Sequence, residues 1–66
     1  MNQQQNALDL IKDSSYLMAT ATTQKEKDLA LSKKRLAMRA CGDAQIPYLT
    51  MLDAYVESYN KTLRAL

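Results

Sequence analysis

Few side chains in this chain could do chemistry, and their spacing decides what kind. Asp9 and Asp13 stand four residues apart, the interval that puts two carboxylates on one helix face and can serve a metal ion. No third ligand follows nearby and the chain has no histidine, so the pair reads as a solvated face. Cys41 is the only cysteine. It cannot form an internal disulfide, and structural zinc needs several Cys or His ligands. No activating neighbour stands beside it, so it reads as a small apolar residue at a helix end rather than a reactive thiol. No acidic pair is set in an apolar pocket pattern, so acid–base and nucleophilic catalysis have little to work with. There is no Gly-rich phosphate loop. The expectation is a protein that is not an enzyme and holds neither cofactor nor metal.

Two other groups bear on binding. Lys25, Lys27, Lys33, Lys34, Arg35 and Arg39 against Glu26 and Asp28 give the segment 25–39 a balance of +4. On a helix, Lys33, Lys34 and Arg35 point about 100° apart. They make no single stripe, which argues against nucleic acid as the partner. The tyrosines Tyr48, Tyr55 and Tyr59 recur at helical spacing. Tyrosine suits places where one end of a side chain is buried and the other wet, and it is frequent at binding hot spots.

The elements that must position these groups are helices. Ala, Leu, Lys, Met and Gln dominate, and β-branched residues are few outside Thr20-Ala21-Thr22-Thr23. We expect one all-α domain over 1–66, an antiparallel helical hairpin with an additional N-terminal helical segment. Residues 1–23 form an N-terminal helix or a partly ordered arm, with Ala7, Ile11, Ser14, Met18 and Ala21 on one stripe and Ser14 and Ser15 interrupting it. Residues 24–41 form a helix, started by a capping box of Thr23 and Glu26. Its apolar residues fall into separate strips, Leu29, Leu36 and Ala40 on one and Leu31 and Met38 on another, with Ala30, Ala37 and Cys41 beside the first. Two strips suggest two packing partners. Residues 42–47 form the turn and 48–66 the last helix, whose stripe of Tyr48, Leu49, Leu52, Tyr55, Val56, Tyr59, Leu63 and Leu66 is the strongest periodic signal in the chain. The lone glycine, Gly42, suits the left-handed position after the second helix. Asp43 can cap the third, with Pro47 in its first turn. A connection this short is expected to make helices 24–41 and 48–66 antiparallel neighbours. Leu31, Met38, Leu52, Tyr55, Tyr59 and Leu63 then line either their seam or a partner surface.

Sixty-six residues make one small domain, and a chain this short buries only about 60% of its unfolded surface. A helical hairpin cannot bury both its apolar faces alone, which points to a protein that sits against another protein. The net charge of +2 is too mild to demand a polyanion. No apolar run reaches the roughly 20 residues of a membrane span, and the polar start Met1-Asn2-Gln3-Gln4-Gln5-Asn6 lacks the pattern of a secretory signal. A cytoplasmic protein is expected.

The stretch Leu29-Ala30-Leu31-Ser32-Lys33-Lys34-Arg35-Leu36-Ala37-Met38-Arg39-Ala40-Cys41-Gly42-Asp43-Ala44 resembles the turn region of the small co-chaperones of type III secretion needle proteins. The similarity covers about 24–66 and is motif-like only near the turn. It implies a cytoplasmic protein of antiparallel helices. Such a protein pairs with a tetratricopeptide-like helical chaperone and, in the same complex, keeps the needle subunit soluble and monomeric before export. A homodimer is the expectation when the protein is alone. The rival readings are a self-assembling helical-hairpin secretion subunit and a small phage or plasmid regulator that binds protein or nucleic acid.

Overall fold

A computed structural model describes residues 2–66 and places them in three helices: α1 (Gln3–Thr20), α2 (Gln24–Asp43) and α3 (Tyr48–Ala65). The all-α fold with a helical hairpin and a further helix is as expected. The arms of the hairpin differ from expectation. α1 is an ordered 18-residue helix and the centre of the molecule: both α2 and α3 pack on it, while α2 and α3 scarcely touch each other.

Local chemistry explains the helix starts. Asn2 caps α1, its side-chain oxygen accepting from the Gln4 and Gln5 amides at 3.1 Å each. Thr23 and Glu26 form the capping box of α2. The Glu26 amide donates to the Thr23 hydroxyl at 3.2 Å, and the Thr23 amide donates to the Glu26 carboxylate at 3.2 Å. The Thr22 hydroxyl also donates to that carboxylate, at 2.9 Å. These bonds favour the ionised acid and lower the Glu26 pKa, Thr22 contributing most. The Thr/Ala-rich stretch resolves into helix through Thr20 and a connection at 21–23.

The second junction is built differently from its expected form. α2 runs two residues past 41, so Gly42 and Asp43 lie in its last turn and not in the connection. Gly42 does not have a positive φ; Gln45 takes the left-handed conformation, at φ 59°. The Ile46 amide donates to the Cys41 carbonyl at 2.9 Å and the Gln45 amide to the Gly42 carbonyl at 3.1 Å. That is a Schellman motif with glutamine where glycine is usual. Ile46 packs on the cluster that contains Cys41, the apolar contact that closes such a motif. The register of these bonds, and not the position of the glycine, sets the helix end. Asp43 therefore closes α2 instead of capping α3. Pro47 is the N-cap residue of α3, which has no side-chain cap.

The core is made of small residues. Ala7, Ile11, Ala37, Cys41, Ala44 and Met51 form one buried cluster, with Ala30, Ser14 and Ser15 also buried. Ser14 and Ser15, which break the apolar stripe of α1 in sequence, are 0% exposed. Ser14 Oγ donates to the Ile11 carbonyl in its own helix at 2.8 Å. Ser15 Oγ crosses to the Tyr55 carbonyl of α3 at 2.7 Å, and Ser58 Oγ returns to the Lys12 carbonyl at 3.4 Å. Cys41 Sγ lies 3.7 Å from the Ala7 carbonyl. The Gln4 amide side chain ties the start of α1 to the Ala44 carbonyl at 3.2 Å. Among the described residues no buried side-chain nitrogen or oxygen lacks a partner.

A Cβ at Gly42 would meet nothing within 4 Å, so Gly42→Ala replaces a poor helix former at no steric cost. It should stabilise the fold by about 1 kcal/mol and raise Tm by roughly 4–8 °C for a domain this small. Gln45→Gly should also stabilise, because it relieves a left-handed residue that carries a Cβ. Thermal melts of both variants check this; a loss of stability in Gly42→Ala would show that the glycine, not Gln45, is the flexible point.

Candidate surface for a helical partner

Apart from Ile11 and Met51, most of the large apolar side chains lie outside the core. α2 turns Ala30, Ala37 and Cys41 inward, and its two strips flank that line on opposite sides. Leu29 and Leu36 are exposed on one side, Leu36 at 66%. Leu31 and Met38 are exposed on the other, at 42% and 37%. The two strips read from the sequence are real, yet the face that packs is the alanine line between them.

α3 shows the same inversion. It touches the core through Met51, with Ala54, Tyr55, Ser58 and Thr62 partly buried. Met51 lay outside the expected stripe. That stripe is turned roughly a quarter of the way round the helix from the α1 contact, at 100° per residue. Tyr48, Leu49, Leu52, Val56, Leu63 and Leu66 are all exposed, Leu49 at 69%. Tyr55 and Tyr59 sit at the edge where core meets water. Their rings stack with centroids 6.4 Å apart. Burial raises the Tyr55 pKa, helped by Tyr59.

One contact relates the two exposed surfaces. Lys34 Nζ of α2 lies 4.5 Å from the centroid of the Tyr55 ring, a cation–π pairing. It places the Leu31–Met38 side of α2 and the tyrosine edge of α3 on the same side of the molecule. Of the residues expected at a seam or partner surface, Leu31, Met38, Leu52 and Leu63 are exposed and Tyr55 and Tyr59 half-buried. They do not close a seam with one another. They lie at the surface instead. Lys34 is thereby drawn out of the basic cluster, while Lys33, Arg35 and Arg39 remain exposed, only Arg35 and Arg39 sharing a face.

A second apolar surface lies across α1 and α2. Leu10 and Ala40 line a shallow cleft with Gln3, Asn6, Ala7 and Asp43; Leu36 and Leu29 continue it one and three turns back along α2. Sequence reading missed the exposure of Leu10. A third cleft, of about 450 Å³, runs between α1 and α3. Its acids Asp53 and Glu57 and its bases Lys12 and Lys61 are all exposed. Among the described residues no three acidic or cysteine side chains gather as metal ligands would, and no helix is long and apolar enough to cross a membrane. No protein family, curated protein or solved structure matches the chain.

The accessible surface states the consequence as an area. It is 4911 Å², whereas a monomer of 7.5 kDa is expected to expose about 4,250 Å².

Cys41 gives an independent probe of the core. It is 1% exposed, and burial raises its pKa. A raised pKa means the fold favours the neutral thiol. That contribution is complete below the unfolded pKa and is lost as pH rises through the folded one, so stability should fall on the alkaline side. A thiol reagent at pH 8 should label the native protein slowly and the denatured protein fast, with native labelling accelerating as pH rises. Equal rates in both states would mean the α1–α2 interface is open.

Proposed function

We propose that this protein is a non-enzymatic binding module that docks on a helical partner, in the manner of a type III secretion co-chaperone. Its partner is a tetratricopeptide-like chaperone, and the pair holds the needle subunit soluble and monomeric in the bacterial cytoplasm. The observation that carries the reading is the distribution of side-chain size: beside Ile11 and Met51 the core is alanine, serine and cysteine, while Leu29, Leu31, Leu36, Leu49, Leu63 and Leu66 are exposed. The apolar surface that Leu31 and Met38 share with the Tyr55–Tyr59 edge suits an amphipathic helix laid against it. Stacked helical repeats present such helices. The resemblance of 29–44 to the co-chaperone turn region supplies the biological setting. The +4 balance of 25–39 favours a partner whose contact surface is acidic.

Co-expression with a needle subunit and a tetratricopeptide-like chaperone from the same genome tests this. A stable three-part complex is expected. Leu31→Asp with Met38→Asp should lower its yield at least tenfold, because both side chains are exposed and neither supports the core. Circular dichroism should show the variant's helices intact. A chain that purifies free of both proteins under these conditions overturns the reading.

A further inference from the structure

The face of α2 that carries Leu31 and Met38 is bordered by charge of one sign. At 100° per residue Lys27 falls about 30° to one side of the Leu31–Met38 line and Arg35 about 50° to the other, and both are exposed. Lys34 stands on the Lys27 side, half-buried, its ammonium 4.5 Å from the centroid of the Tyr55 ring. The acids of the same stretch are engaged at the start of their own helix. The Glu26 carboxylate accepts from the amides and hydroxyls of Thr22 and Thr23, and Asp28 accepts from the Gln24 side chain at 2.9 Å. The tyrosine edge of α3 brings no charge to this side. Asp53, Glu57 and Lys61 line the cleft against α1, and Arg64 joins them in the cleft beside it.

We propose, resting on the docking face assigned above, that its partner is an amphipathic helix whose apolar stripe is flanked by carboxylates, and that Lys27 and Arg35 are the residues that select it. Lys34 is held by Tyr55, which leaves the pairing to the other two. Lys27 and Arg35 are eight residues apart, roughly 12 Å along the helix axis, and lie on opposite sides of the apolar pair. The matching helix carries an acid on each edge of its stripe, about two turns apart. Charges flanking an apolar seam set partner choice between helices, and a helix with basic flanks would meet like charge at both positions. A lipid surface fits less well. It takes one broad apolar face, whereas Leu29 and Leu36 are exposed on the other side of the alanine line of α2.

Two synthetic helical peptides test this. One has a leucine stripe flanked by glutamates about two turns apart; the other has glutamines in their place. In fluorescence anisotropy titrations with the full chain, the glutamate peptide should bind at least ~10-fold more tightly. Its affinity should fall about tenfold between ~50 mM and ~500 mM salt. Lys27→Glu with Arg35→Glu should abolish the preference. Lys25→Glu with Lys33→Glu changes the net charge equally but lies more than about 100° round the helix from Leu31 and Met38, and should keep it. Binding of neither peptide, or of both equally, by the wild-type chain overturns the proposal. So does an equal loss in the two double variants, which would make the attraction one of net charge alone. Binding to phosphatidylglycerol vesicles in place of the glutamate peptide would assign the face to lipid and overturn it as well. Co-expression separates this outcome from the reading beneath it. A three-part complex that forms undiminished with the Lys27→Glu, Arg35→Glu chain sinks the acidic-helix proposal and leaves the co-chaperone reading standing. A chain that selects the glutamate peptide yet purifies free of both proteins does the reverse.

Discussion

The structure depends on how closely α1 lets two other helices approach. Large side chains at the contact would hold helices apart at ordinary interaxial distances. Here most contact positions are small: Ala7, Ser14 and Ser15, beside the larger Ile11, on α1, and Ala30, Ala37 and Cys41 on α2. With so little bulk between them, hydroxyls reach across to backbone. Ser15 donates to the Tyr55 carbonyl and Ser58 to the Lys12 carbonyl, so α1 and α3 each satisfy a polar group of the other. A buried hydroxyl without such a partner would be costly. These bonds are as much a condition of the close packing as a result of it.

Small contacts leave the leucines nowhere to go but outward. A core of alanine, serine and cysteine buries little apolar area per residue, and at roughly 25 cal/mol per Å² it yields less stabilisation than a leucine core of the same size. A 66-residue chain with no disulfide is already near the limit of independent stability. Covering the exposed strips would add the area the interior does not supply. In the proposed reading, fold stability and association are thus two parts of one balance, the apolar surface left exposed being the surface a partner covers.

This explains how much could be read from the sequence. Helix content, the capping box at Thr23 and Glu26 and the two strips of α2 were legible, because each rests on local spacing. The connection at 42–47 was located to within two residues, but its glycine misled. Gly42 has the freedom to end a helix, yet the bonds from Ile46 and Gln45 close the turn three residues later. Packing direction was the harder matter. A hydrophobic stripe marks the most apolar face of a helix, and that face was expected to be the buried one. In α2 and α3 the buried face is the one whose side chains are small enough to approach α1, and periodicity weighted by hydrophobicity does not see it. Ser14 and Ser15 looked like interruptions for the same reason. Runs of Ala, Ser and Cys at helical spacing, such as Ala30, Ala37 and Cys41, were the signal available.

The placement of the exposed surfaces has a further logic. Tyr55 and Tyr59 of α3 stand at the edge of the core, on the side of the molecule where Leu31 and Met38 of α2 are exposed. Tyr55 has a contact to each of the other helices: its carbonyl accepts from Ser15 of α1, and its ring lies under Lys34 of α2. These contacts tie α3 to both neighbours, so the packing at the core sets which side chains of α3 face outward.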